Sequence, residues 1–130
     1  MIFEEDFLTF LKASSVNALC NGQIYGLQRP KGERPLPEIL IQRASTVRQK
    51  LFCGTSNLVS AQIQVDSFGL QLDQTLGLAR ALRLLLVDYT GTMGDTYVED
   101  VSLDNEFPTV DADPGIFRIT QLYDFWYAED

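Results

Sequence analysis

The sequence predicts an α+β fold: a single mixed, mostly antiparallel β-sheet with two main helices packed on one face. Apolar residues recur at helical spacing in two segments, residues 3–13 and 72–87. Between and after these segments, apolar and polar residues alternate at the period of a strand, so that blocks of strands are separated by one crossing helix. A length of 130 residues suits a single domain, residues 1–130.

The N-terminal part of the chain is predicted to hold one helix and one short strand. Phe3, Phe7, Phe10 and Leu11 share one helix face, and three acidic residues lie in the first turn, where the helix dipole favours negative charge. A short second turn of helix follows and ends at Gly22. Residues 23–27 are predicted to form a strand, and residues 28–37, with three prolines and four charges, an exposed loop.

The middle of the chain is predicted to contain a hairpin and the main helix. Residues 38–47 and 58–68 are the two strands, and 48–57 the hairpin tip. In the second strand the alternation places Val59 and Ile63 inward, and Gln62 and Asp66 outward. The helix over residues 72–87 carries the apolar stripe Leu72, Leu76, Ala79, Leu82 and Leu86, widened by Leu78 and Leu85.

The C-terminal part is predicted to hold a turn at residues 91–95, a strand over 96–107, an acidic loop over 108–115 and a last strand over 116–127. This last strand has apolar residues on both faces, with Phe125 and Tyr127 on one side and Leu122 and Trp126 on the other. A single antiparallel sheet normally has one apolar and one solvated face. The pattern therefore predicts that a partner molecule covers the second face.

Charge is distributed unevenly along the chain. The formal net charge is −8, which argues against binding nucleic acid through its phosphates. Residues 29–50 carry six basic and two acidic residues, whereas residues 88–130 carry eleven acidic residues and one basic residue. One interpretation of this uneven distribution is that the charges are simply solvated on the surface. A second is that the basic segment of one copy contacts the acidic half of a neighbouring copy.

The composition favours a protein made and kept in a reducing cytoplasm. Residues 1–6 carry three acids and no base, where a secretory signal would be basic, and no apolar run approaches the ~20 residues of a membrane span. Cys20 and Cys53 have no metal-binding spacing and are interpreted as small apolar residues, with a disulfide disfavoured.

No pattern predicts catalysis or a cofactor. The chain has no histidine, the commonest general base and metal ligand at neutral pH. Residues 111–122 begin like a calcium loop, but Leu122 stands where the bidentate glutamate is required. We therefore expect no enzyme activity, no metal and no cofactor.

Five stretches in order resemble the tail completion, or tail terminator, proteins of long-tailed bacteriophages and related tail-like particles. They span the chain from about Phe3 to Tyr127: Gly22–Tyr25, Leu36–Arg43, Ala61–Phe68, Pro114–Arg118 and Phe125–Tyr127. The resemblance implies a virion protein whose homohexameric ring caps the head-proximal end of the tail tube. Its implied partners are its own copies, the tail tube protein and the head completion or connector protein, with DNA passing through the lumen without specific binding and no membrane involved.

The resemblance supplies no binding motif, so the candidate interface residues come from charge and apolar pattern. They are Arg29, Lys31, Arg34, Arg48, Lys50, Asp104, Glu106, Asp111, Asp113, Leu122 and Trp126. Trp126 under one of the chain's own helices is an equally good interpretation. Two other functions stay open: a head-side neck or connector ring, and a small-ligand-binding or enzymatic α+β domain.

Overall fold

A computed structural model describes residues 3–20, 22–26, 37–51, 54–94, 96–110 and 115–128, with backbone alone for 44–51, 54–58, 109–110 and 128. The elements follow in the order α1 Phe3–Lys12, α2 Val16–Leu19, β1 Ile24–Gly26, β2 Glu38–Leu51, β3 Gly54–Gly69, α3 Leu72–Leu86, β4 Gly91–Met93, β5 Thr96–Val110 and β6 Phe117–Ala128. Helices and strands thus alternate in blocks, as an α+β fold requires.

The strands form one mixed sheet of six strands in the order β1-β2-β3-β6-β5-β4. Strand β1 is parallel to β2, and every other neighbouring pair is antiparallel. The single, mostly antiparallel sheet is therefore confirmed. Strand β6, last in sequence, lies in the middle, between β3 and β5.

Aromatic residues of β6 pack against α1. The Phe3 ring stacks on Tyr127 with centroids 4.4 Å apart, and Phe125 lies 4.8 Å from Phe7 and 5.1 Å from Phe3. Arg43 adds a polar link by donating from Nη2 to Glu4 Oε1 at 2.6 Å and to the Tyr127 hydroxyl at 2.9 Å. The phenylalanines that recur at helical spacing in α1 thus pack on β6 and form the centre of the core.

Helix α3 is rotated relative to the predicted stripe. Its buried residues are Thr75, Leu78, Ala79, Leu82 and Leu86, while Leu72 and Leu76 are about half exposed. The cause is a close approach at Gly69, where an added Cβ would lie 2.4 Å from Thr75 Oγ1. Because Thr75 occupies the space beside Gly69, the two leucines that flank it in the helix turn outward.

Several element boundaries differ from expectation. The segment predicted as a hairpin tip mostly continues β2 and β3, which pair as far as Leu51 and Gly54. The predicted turn at residues 91–95 contains β4, which pairs with Thr96–Val98 across Gly94. Strand β5 runs on to Val110, into the predicted acidic loop. Strand β4 is predicted as a turn because its three residues show no periodicity.

Gly77 offers a stabilising substitution. It lies on the exposed side of α3, and no atom lies within 4 Å of the position that a Cβ would take. Because glycine costs about 1 kcal/mol relative to alanine inside a helix, Gly77→Ala should raise the free energy of unfolding by about 0.5–1 kcal/mol. Urea denaturation measures this change, and a lower unfolding midpoint would contradict it.

Candidate assembly surface

The two faces of β6 differ in what they contact. Odd-numbered residues point toward the helices: Phe125 and Tyr127 contact α1, and Gln121 Nε2 donates to the carbonyl oxygen of Ala79 in α3 at 3.0 Å. Even-numbered residues lie on the opposite face, which we call the second face. It comprises Arg118, Thr120, Leu122, Asp124 and Trp126 of β6 with the residues beside them on β3 and β5.

Leu122 and Trp126 are half-buried on the second face. In register, Trp126 lies between Ser60 of β3 and Asp100 of β5, and Leu122 lies between Gln64 and Asn105. Polar neighbours therefore cover the sides of both apolar groups and leave their outer surfaces toward solvent. Trp126 points away from the residues that contact α1 and α3, so the interpretation that placed it under a helix is not supported.

Two carboxylates share one amide donor beside Trp126. Gln62 Nε2 donates to Asp104 Oδ2 at 3.1 Å and to Asp124 Oδ1 at 3.4 Å. Partial burial raises the pKa of Asp124, and the nearby charge of Asp104 raises it further, while the hydrogen bond from Gln62 opposes both. This part of the second face therefore presents concentrated negative charge.

The raised pKa of Asp124 makes a stability prediction. The folded protein holds the proton of this carboxyl to higher pH than the unfolded chain does. The free energy of unfolding therefore falls as pH rises above the ordinary pKa of the group, about 3.8. Asp124→Asn should therefore raise the free energy of unfolding at pH 7 by less than about 1 kcal/mol. The gain should vanish near pH 3, as measured by urea denaturation at both pH values. Equal gains at both would exclude an electrostatic cause.

A buried ionic cluster closes one end of the second face. Asp66 is fully buried, and it accepts hydrogen bonds from Thr120 Oγ1 at 2.6 Å, Gln64 Nε2 at 3.0 Å and Arg118 Nη2 at 3.0 Å. The Arg118 guanidinium also lies 5.4 Å from the centre of the Phe68 ring. Asp66 lies on the outward face, as the alternation predicts, but it is buried there and links β3 to β6. Only the strand pairing, which brings Thr120 opposite Asp66, reveals this role.

Glu106 lies on the helix side of β5. Its carboxylate accepts from Arg83 Nη1 at 2.9 Å and from Gln121 Nε2 at 2.6 Å. Nearby, burial raises the pKa of the Tyr123 hydroxyl, and the Glu106 charge raises it further. A register shift between Leu103 and Asn105 separates Glu106 from Asp104, which would otherwise share its face. The acidic candidates are therefore divided between the two faces.

The structure brings together only some of the predicted interface residues. Asp104, Leu122 and Trp126 lie together on the second face. Arg48 and Lys50 lie on β2, where only the backbone is described. Arg29, Lys31, Arg34, Asp111 and Asp113 lie outside the described residues. Their joint role as an interface stays a prediction.

Side chains suited to metal binding are not clustered in the described part of the chain. Among those residues, no group of three or more histidine, cysteine, aspartate or glutamate side chains could hold a metal ion. No helix in the described ranges is both long enough and apolar enough to cross a membrane. The Cys20 thiol is buried, and it donates to the carbonyl oxygen of Val16 at 3.5 Å.

The fold is similar to that of a chain in the virion of a gene transfer agent particle. A chain from the solved structure titled virion of native gene transfer agent particle matches with a TM-score of 0.76 over 95% of this chain and 92% of that chain. The two sequences are 10% identical, so the likeness shows a shared fold. No protein family matches the sequence, and no curated protein matches it.

Proposed function

We propose that this protein is a structural subunit of a phage-like virion. The supporting observation is the shared fold, which extends over nearly the full length of both chains. The second face adds support, because its half-buried Trp126 and Leu122 suit contact with another subunit. Such a role requires binding between subunits of complementary shape and does not require catalysis.

Within the virion, we assign the subunit to the head-proximal end of the tail tube. There a homohexameric ring would stop the addition of tube protein and present the surface that joins the head. The resemblance of five ordered stretches to tail terminator proteins supports this position. The net charge of −8 suits a ring through which DNA passes, because negative side chains repel phosphate.

Deletion of the gene in the producing strain tests this position. Loss of a tail terminator should give tails of abnormal length beside filled, unjoined heads in electron micrographs. A head-side neck protein, the alternative within the same particle, should instead leave tails of normal length. Labelling of the protein on tails from a strain that makes no heads separates the two directly. Particles of normal form and infectivity would overturn the proposal.

Ring assembly should weaken with salt if charged surfaces pair between subunits. Exposed charges are screened over about 10 Å at 0.1 M salt and about 3 Å at 1 M salt. We therefore expect fewer rings at 1 M than at 0.1 M NaCl, counted by light scattering or negative-stain microscopy. Assembly that is indifferent to salt would exclude the charge pairing and leave the ring itself untouched.

A further inference from the structure

The outer surface of α3 carries a row of exposed leucines. Leu72, Leu76, Arg80 and Leu84 follow one another at four-residue spacing, which places them side by side along one ridge of the helix; we call this ridge the leucine row. Leu76 is 47% exposed and Leu84 is 72% exposed, so both lie away from the face of α3 that packs on the sheet. A contiguous apolar row of this kind is typical of a protein–protein contact surface.

Arg80, within the leucine row, carries a positive charge that the chain does not pair. The three other arginines with described side chains, Arg43, Arg83 and Arg118, each pair with a carboxylate of the same chain. Arg80 is exposed and makes no ion pair within the part of the chain that the structure describes. The leucine row therefore has apolar groups on either side of an unpaired positive charge.

The second face of the sheet has the opposite arrangement. Along β6, Leu122, Asp124 and Trp126 lie on this face, so that an acidic residue stands midway between two apolar residues. Asp124 and the neighbouring Asp104 share the amide of Gln62, and neither has a basic partner in the described ranges. The second face therefore has apolar groups on either side of an unpaired negative charge.

The two arrangements match in length. Leu76 and Leu84 are separated by two steps of four residues in a helix, which is about 12 Å at ~1.5 Å per residue. Leu122 and Trp126 are separated by four residues of a strand, which is about 13 Å at ~3.3 Å per residue. Because a charge stands midway in each, the apolar groups meet whenever the two charges meet, whichever way the helix runs.

The two surfaces lie on opposite sides of the molecule. Helix α3 packs on the side of the sheet from which Gln121 donates to Ala79, and the leucine row faces outward from there. The second face lies on the other side of the sheet. A contact between these surfaces therefore joins successive copies through different surfaces, and repeated copies form a closed ring when the rotation permits. The sheet would then have helices on both faces, one set of them from a neighbour.

We propose that the leucine row of one copy docks on the second face of the next copy. Arg80 then lies against Asp104 and Asp124. The leucines of the row cover Leu122 and Trp126. The partner is a second copy of this chain, and the inference deepens the proposed function and rests on its claim that copies form a ring.

Charge reversal tests this junction in a deletion strain that is supplied with variant genes. Arg80→Glu brings like charges together and should lower the number of particles that contain the chain by about tenfold or more. Asp104→Lys combined with Asp124→Lys should cause a similar loss, because the lysines then face Arg80. All three substitutions together restore the attraction and should return the particle count to near that of the unaltered chain. Lys12→Glu, an equal change of charge at an exposed residue of α1, is the control and should have no effect.

The apolar part of the junction has a test of its own. Leu84→Ser should lower the particle count several-fold, whereas Leu19→Ser, at a residue of α2 that is 52% exposed, should leave the count unchanged. Because both leucines are exposed, neither substitution should prevent folding, and circular dichroism of every variant checks this. Equal particle counts for the two leucine variants would overturn the apolar contact.

Rescue by the combined charge reversal would support the junction. Loss without rescue, or normal particle numbers with Arg80→Glu, would overturn the junction and leave the proposed function intact. Particles that lack the unaltered chain would overturn the proposed function, and analytical ultracentrifugation of the concentrated protein then decides the junction. Association that Arg80→Glu abolishes and the combined reversal restores would support it. Monomers alone, or association that is indifferent to these variants, would overturn it.

Discussion

Phe125→Ala should lower the free energy of unfolding by about 3–5 kcal/mol, the usual cost of removing a phenylalanine from a packed core. Phe125 is fully buried, and its ring contacts Phe3, Phe7 and Tyr123. Its loss would leave a cavity between β6 and α1 that the sheet cannot close. Equilibrium denaturation with urea measures the change.

Phe117→Ala is the matched control on the same strand. Phe117 is 41% exposed, so its removal should cost less than about 1 kcal/mol. Equal losses for the two variants would contradict the placement of α1 against the C-terminal part of β6. A larger loss for Phe117 than for Phe125 would reverse the assignment of core and surface along this strand.

Gly94→Ala should lower the free energy of unfolding by about 2–4 kcal/mol, through backbone strain and a steric clash. Gly94 has a φ of +59°, and an added Cβ would lie 2.4 Å from Asp6 Oδ1. Asp6 is buried and accepts a hydrogen bond from Thr96 Oγ1, so it cannot move without losing that partner. Thermal or urea unfolding measures the loss.

Gly115→Ala separates the two causes. Gly115 has a φ of +81°, but no atom lies within 4 Å of the place that an added Cβ would occupy, so only the strain of about 1 kcal/mol applies. The difference between the stability losses of the two variants measures the cost of the clash with Asp6. If both lose the same stability, the contact between α1 and the β4–β5 turn is not as described.

Local patterns in the sequence predict most of the elements but not how they pair. The alternation around Val59 and Ile63 correctly places both residues in the core, and the phenylalanine spacing correctly predicts α1. Strand order depends on contacts between distant residues, such as Asp66 with Thr120, that no local pattern encodes. The rotation of α3 likewise follows from the approach of Thr75 to Gly69.

Alternation in the sequence predicts the face on which Leu122 and Trp126 lie, whereas a bulge explains why it does not predict the faces of Asp104 and Glu106. Leu122 and Trp126 do lie on the face away from the helix contacts. Asp104 and Glu106 are two residues apart, so a regular strand would place them on one face. The register shift between Leu103 and Asn105 places them on opposite faces instead. A single extra residue in a strand has no signature in composition or periodicity.

The central position of β6 has a consequence for synthesis on the ribosome. Strands β3 and β5 have no direct pairing in this sheet, and each needs β6 as its neighbour. Since β6 follows every other described strand of this sheet in the chain, the nascent protein cannot complete the sheet until translation has passed Ala128. A chain truncated before Phe117 would leave two unjoined halves, so only copies translated past β6 would become competent to assemble.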